Sequence, residues 1–150
     1  MNAISPPTDS ALPRRRAVCR AIFVLFGGSR ATSLLAAPDH PNRKWFLASE
    51  AMRQLALSWG DQPYGAVLVT AGGLVAEGPS RVVKNSDPNA HAEREAIREA
   101  QRHLGTATLP GSVLYSTSRP CRLCEQAAAQ AGVSRMYFGP ELVDAGAPRP

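Results

Sequence analysis

Two short stretches constrain this chain more than anything else in it. They are Asn89-Ala90-His91-Ala92-Glu93 and Ser118-Arg119-Pro120-Cys121-Arg122-Leu123-Cys124, with Cys121 thirty positions on from His91. Each precedes an alanine-rich run with helical spacing, so each reads as the opening of a helix. A fold that brings the two openings together aims two helix N-termini at one point. It also places one imidazole, two thiols and one carboxylate there. Zinc takes thiolate sulfur and imidazole nitrogen in tetrahedral array, and a catalytic site keeps one position for water. The positive ends of the two helices favour the thiolates and a bound hydroxide.

Other uses of these residues account for less. A structural zinc site needs a fourth ligand, and the remaining candidates are Cys19, His40 and His103. None has fitting spacing. A redox dithiol would explain Cys121 and Cys124 but leave His91 and Glu93 without a role. Three cysteines cannot build a disulfide framework. With His91, Cys121 and Cys124 as ligands, Glu93 gains a task that no structural site requires. Zinc lowers the pKa of its water toward neutrality, and a neighbouring carboxylate can take the proton and hand it to a leaving nitrogen.

The rest of the chain reads as a frame for this centre. Trp45, Phe46, Ala48, Met52, Leu55 and Ala56 recur at mostly three- and four-residue steps, which predicts an amphipathic helix of about four turns ending near Trp59-Gly60. Gly65–Thr70 is an apolar strand covered on both faces. Ala71-Gly72-Gly73 turns it into a second strand, Leu74–Glu77, which Gly78-Pro79 breaks. Asp87-Pro88 reads as a cap and first position of the next helix, with Ala92, Ala96, Ile97, Ala100 and Leu104 on its buried side. A third strand follows at Ser112–Thr117, a third helix from Pro120 to Gly132, and a fourth strand at Val133–Phe138. This order predicts an α/β layered domain. The opening hairpin makes an antiparallel pair, and the later strand–helix–strand crossovers make parallel neighbours. The expected organisation is a leader at 1–37, a domain at 38–140 and an irregular tail at 141–150.

The formal net charge of +5 suggests nucleic acid until it is located. Residues 1–37 hold five arginines against Asp9, while residues 38–150 hold 12 Lys and Arg against 11 Asp and Glu, a net of +1. A phosphate footprint belongs on the folded domain, so composition argues against a nucleic-acid partner. The leader's Arg14-Arg15-Arg16-Ala17-Val18-Cys19-Arg20 precedes the apolar run Ala21–Gly28, which is too short to span a membrane. It resembles a twin-arginine export signal, which implies a periplasmic protein. Arg14 and Arg30 depart from that pattern, and no clean A-x-A site precedes Pro38. The alternative is a basic tail on a cytoplasmic protein.

The two openings together form the H-x-E…P-C-x-x-C pattern of zinc deaminases. At these residues the chain resembles the cytidine deaminase-like superfamily, in particular its guanine deaminase and tRNA adenosine deaminase branch. Gly60–Val67, Asp87–Glu93, Leu109–Tyr115, Pro120–Cys124 and Met136–Gly139 carry the similarity, which covers about residues 43–139. The resemblance implies a three-layer α/β/α fold and zinc on His91, Cys121 and Cys124. It also implies Glu93 as proton shuttle, a backbone contact to substrate near Ala66, and a homodimer. Three features depart from the branch. Gly78-Pro79-Ser80 stands where the branch carries a substrate-touching Asn, so the contact near Ser80 is lost or remade. Arg119 stands where the branch has Glu before Pro-Cys. About a dozen residues follow Gly139 where the family continues with a further strand or helix. Arg119 reads either as a contact to an anionic substrate group or as an exposed arginine paired with a nearby carboxylate.

The leading expectation is a zinc-dependent hydrolytic deaminase of a nucleobase, nucleoside or related amino-heterocycle, with guanine deaminase as the nearest pattern. The alternatives are an RNA-editing enzyme of the tRNA adenosine deaminase type and a zinc-holding, non-catalytic protein of the same fold.

Overall fold

The computed structural model describes residues 40–150, all within one compact unit. The expected leader, with its twin arginines, lies outside the described residues. Helix α1 (Arg43–Ser58) is followed by strands β1 (Gly65–Thr70) and β2 (Gly73–Pro79), helix α2 (Ala92–Leu104), strand β3 (Val113–Ser116), helix α3 (Arg122–Gln130) and strands β4 (Arg135–Phe138) and β5 (Val143–Gly146). The strands form one mixed sheet in the order β2-β1-β3-β4-β5. Strand β1 runs antiparallel to both β2 and β3, β3 and β4 are parallel, and β5 returns antiparallel to β4.

Strand alternation assigns the layers. Leu68, Leu114 and Met136 are register partners across β1, β3 and β4, and they join Ala92, Ala96, Ile97, Ala100 and Ala128 in one core. Val67, Tyr115 and Tyr137 form the neighbouring row on the opposite face, where Trp45, Phe46 and Met52 of α1 pack. The Tyr115 and Tyr137 rings stack with centroids 5.4 Å apart. Helices α2 and α3 therefore cover one side and α1 the other, giving three layers.

Two glycines set how closely the helices approach. A Cβ on Gly65 would run into the α1 backbone at Ser49 and Arg53, and one on Gly78 into the α2 backbone at Ala92 and Ala96. Absence of a side chain at Gly78 thus lets the first turn of α2 lie directly on β2.

Several expected boundaries move. Gly78-Pro79 does not break β2, which continues through Pro79. As the outer strand of the sheet it tolerates a residue without an N–H. Helix α2 begins at Ala92, four residues later than Asp87-Pro88 predicts. The Asp87 carboxylate accepts from the Asn89 N–H at 2.8 Å, and the Ala90 N–H donates to the Asp87 carbonyl, closing a turn in place of a helical start. Helix α3 likewise starts at Arg122 and not at Pro120. Leu104, expected in the core, is 47% exposed. Strands β2 and β3 are not neighbours, because β1 lies between them; the crossover through α3 alone joins parallel neighbours. The stretch expected to be an irregular tail contains β5, whose Asp144 is held by Arg135 of β4 at 2.5 Å.

Candidate metal centre

His91 and Cys121 occupy equivalent places: each is the N-cap of its helix, with extended backbone (ψ 151° and 167°), and neither side chain caps. An N-cap is ordinarily a Ser, Thr, Asp or Asn whose oxygen accepts a first-turn N–H. Here the capping interaction is given up and both side chains turn to a common point. Their carbonyls still accept the first helical bonds, from Glu95 and Glu125, each at 2.9 Å. Cys124 stands one turn into α3, fully buried.

The resulting donor set fits zinc. The two sulfurs are 3.6 Å apart, and His91 Nδ1 lies 3.7 Å from Cys121 Sγ and 3.5 Å from Cys124 Sγ. A regular tetrahedron with ordinary zinc–sulfur and zinc–nitrogen bonds has edges of about 3.8 Å between sulfurs and about 3.6 Å between sulfur and nitrogen. A disulfide would need the sulfurs at about 2.05 Å. With Nδ1 as donor to the metal, the imidazole proton resides on Nε2. Among the described residues these three are the group of metal-binding side chains that converges in this way.

Glu93, in the first turn of α2, is 5% exposed and its Oε2 lies 3.5 Å from Cys124 Sγ. Burial pushes its carboxyl above the ordinary carboxylate range, against the pull of its own backbone N–H, the Cys124 thiol and His91. Burial, followed by the adjacent Glu93 carboxylate, also drives the Cys124 thiol upward. A dication between the sulfurs reverses that preference, since it replaces the protons and matches the thiolate charge.

The centre opens into a cleft of about 500 Å³ lined by Gln62, Tyr64, His91, Glu93, Ser118, Arg119 and Cys121. Arg119 is therefore at the cleft, exposed, with its guanidinium 5.8 Å from the Phe138 ring centroid. It enters no ion pair among the described residues, so the expected carboxylate partner is not found there. Ala66 and Ser80 are not among the residues that line this cleft. Ala66 is fully buried, paired with Gly78 on one side and Ser116 on the other. Ser80 is also fully buried, and its hydroxyl donates to Asp61 Oδ1 at 2.9 Å.

Asp61 is the residue that sequence reasoning left without a role. It lies in the α1–β1 loop and accepts from the Ser80 hydroxyl and from the backbone N–H groups of Gln62, Val83 and Lys84. Burial opposes its charge, but these four donors prevail and hold the carboxyl below its usual range. Through Asp61 the β2–α2 loop is tied to the loop that presents Gln62 and Tyr64. The Tyr64 carbonyl adds an acceptor for the Ser80 N–H, and Ala90 binds the Arg81 N–H. An acid inside Gly60-Asp61-Gln62-Pro63 was the available signal, but three of its four donors are 19 to 23 residues away.

Comparison with known proteins places this geometry in a family. The cytidine and deoxycytidylate deaminase zinc-binding region matches residues 41–140. The guanine deaminase of Bacillus subtilis is 40% identical over 83 residues, covering 55% of this chain and 53% of its own length. A tRNA-specific adenosine deaminase of Agrobacterium fabrum is 41% identical over 85 residues, covering 57% of this chain and 56% of its own. The chain thus spans about half the length of these curated relatives. The X-ray structure of the Bacillus subtilis guanine deaminase superposes with a TM-score of 0.63 at 31% identity, covering 67% of this chain and 64% of that one. With the family's region matched over residues 41–140 and its two half-motifs converging on one set of metal donors, the chain belongs to the cytidine and deoxycytidylate deaminase zinc-binding family.

Proposed function

We propose that the chain is a zinc-dependent aminohydrolase that releases ammonia from a nucleobase, nucleoside or related amino-heterocycle, in the manner of a guanine deaminase. The observation that carries this reading is the placement of Glu93: a buried carboxylate 3.5 Å from a ligand sulfur, lining the same cleft as His91 and Cys121. A metal bound only to hold a fold has no use for a proton carrier there.

His91, Cys121 and Cys124 would hold the zinc, which would supply Lewis acidity and a water of lowered pKa. Glu93 accepts the proton as the water oxygen adds to the amino-bearing carbon. It passes that proton to the ring nitrogen, then takes the proton of the new hydroxyl and hands it to the amine, so that the carbon–nitrogen bond breaks, ammonia leaves and a carbonyl remains. Tyr64 and Gln62 stand at the mouth, where a heterocycle's face and edge would lie. Arg119 reads as a substrate contact at the same wall.

The test is ammonia release by the zinc-loaded full chain over amino-purines, amino-pyrimidines, pterins and their nucleosides. Activity on at least one class is expected, with Glu93→Ala slower by roughly 100-fold or more. Silence across the whole panel, or equal rates in the variant, refutes the reading. The similarity to tRNA-specific adenosine deaminases supports a second reading, RNA editing, which predicts tight tRNA retention at physiological salt. A homodimer is proposed on family grounds, and light scattering on the purified chain tests it.

A further inference from the structure

One oxygen atom in the loop wall serves two residues with different fates. Asp61 Oδ1 accepts from the Ser80 hydroxyl at 2.9 Å and from the Gln62 N–H at 2.7 Å. Ser80, a candidate substrate contact in the sequence, is fully buried with its hydroxyl spent on that bond, and it is not among the residues that line the metal cleft. Gln62 lines that cleft together with His91 and Glu93. The Gln62 backbone is fixed from both ends. Its N–H is held by Asp61, and its carbonyl accepts from the Tyr64 N–H at 2.8 Å, closing a three-residue turn about Pro63. The proline ring locks its own φ and restricts the residue before it, so little backbone freedom is left at Gln62.

Besides the metal donors and Glu93, four polar side chains line the cleft: Gln62, Tyr64, Ser118 and Arg119. Tyr64 and Arg119 are exposed, whereas Gln62 and Ser118 are half-buried. A hydroxyl offers a single donor, and a guanidinium donates without accepting. The Gln62 amide alone holds a donor and an acceptor side by side in one plane, and it makes no side-chain hydrogen bond among the described residues. Covering such a group with a ligand that cannot answer it costs binding energy, because both polar atoms lose water without gaining a partner. A ring edge with an adjacent donor and acceptor answers both at once. This is the pairing by which a glutamine amide meets the N6–N7 edge of adenine.

We propose that Gln62 is a specificity-determining residue of the metal cleft, reading an adjacent donor and acceptor on the purine edge that lies away from the reacting amine. With a 2-amino group beside Glu93, that edge carries the 6-substituent and N7. Recognition thus falls to the α1–β1 loop, where Asp61 holds Gln62, and not to the β2–α2 loop, where Asp61 withdraws Ser80. This rests on the aminohydrolase reading above and adds to it which ring edge is recognised and by which side chain.

The experiment measures equilibrium binding of 2,6-diaminopurine and its 7-deaza analogue to the zinc-loaded full chain carrying Glu93→Gln, by calorimetry. The analogue keeps the ring size and both amino groups and loses the N7 acceptor. The purine is expected to bind roughly tenfold more tightly than the analogue. Gln62→Met, close in length but without the amide, is expected on the same background to cut that ratio to about twofold or less, with zinc content and circular dichroism unchanged. Gln62→Leu serves as a second variant and is expected to give the same loss. Ser80→Ala is expected to keep the tenfold ratio, since its hydroxyl faces Asp61. A change that merely loosens the loop weakens both ligands alike and leaves the ratio in place. Equal affinities on the Glu93→Gln background overturn the proposal, and so does binding of neither ligand. A ratio that survives both Gln62 substitutions, or one that is lost in Ser80→Ala with Gln62 intact, overturns it as well. Failure of this proposal and failure of the aminohydrolase reading are distinguishable. Ammonia release from the amine panel without a Gln62-dependent ratio sinks the proposal alone. A Gln62-dependent ratio with no ammonia from any amine sinks the aminohydrolase reading alone.

Discussion

The two halves of the cleft are built by different means. The metal side is made of helix starts: His91 and Glu93 lie two residues apart at α2, and Cys121 and Cys124 three apart at α3. Once each helix begins where it does, the donors' directions follow. The opposite side is made of loops held by the Asp61 carboxylate, which accepts from the Ser80 hydroxyl and from the Val83 and Lys84 N–H groups across 19 to 23 residues. The metal side is thus local in sequence within each helix start, with Cys124 and Glu93 buried behind the more open His91 and Cys121. The loop side is non-local and depends on one charged group that keeps four donors satisfied. The comparison teaches that a reaction centre and its specificity wall can sit side by side on unlike foundations, so that a change in one leaves the other standing.

That difference can be broken from the metal side first. Cys124→Ser, which removes the buried ligand, is expected to lower bound zinc from one equivalent to near none and reduce any turnover to background. Metal analysis after gel filtration checks it; full zinc content in the variant would remove Cys124 from the ligand set. Gly78→Ala comes next. Its Cβ meets the α2 backbone at Ala92 and Ala96, so a loss of about 3 kcal/mol is expected together with weakened zinc binding, because His91 and Glu93 move with α2. Gly65→Ala presses on α1 and is expected to lower Tm without the same loss of zinc affinity. Equal effects of the two on zinc would contradict the division drawn here.

Asp61→Asn tests the loop side. An amide cannot accept from all four donors, and a loss of about 1–3 kcal/mol at pH 7 is expected with zinc retained. The pH dependence carries a sign. The folded Asp61 carboxyl titrates below its unfolded value, near 3.9. Its contribution is complete above that pH and lost as pH falls through the lower folded value. Chemical denaturation between pH 2 and 7 is therefore expected to show a shallower acid limb in Asp61→Asn. Identical limbs would remove Asp61 from the hub. Smallest of all, Arg102→Ala breaks an exposed pair with Glu99 on the outer face of α2, and no measurable change in Tm or zinc content is expected.

Legibility in the sequence followed the same divide. The zinc donors and Glu93 were readable because spacing within a helix opening places side chains by local geometry. The helix and strand types were readable because period and burial agree along α2 and β1, whereas on α1 the periodic Leu55 is exposed. Strand β5 was not readable: Val143-Asp144-Ala145-Gly146 has little strand preference, and its pairing comes from β4 and the Arg135–Asp144 contact. Ser80 matched a family position in order along the chain, yet its hydroxyl is taken by Asp61 and the residue is buried. The start of α2 slipped by four residues because Asp87 closes a turn with Asn89 instead of capping a helix.

By itself, then, the sequence determined the zinc-binding set, the proton-carrying candidate beside it and the layered α/β class, all of which depend on near neighbours in the chain. Only the tertiary structure decided that Ser80 is a buried prop, that Asp61 ties the loop wall together, and that Arg119 lines the metal cleft with no carboxylate partner among the described residues. Those outcomes rest on contacts between distant segments. No local pattern records which donor finally reaches a buried carboxylate, or which guanidinium is left without one.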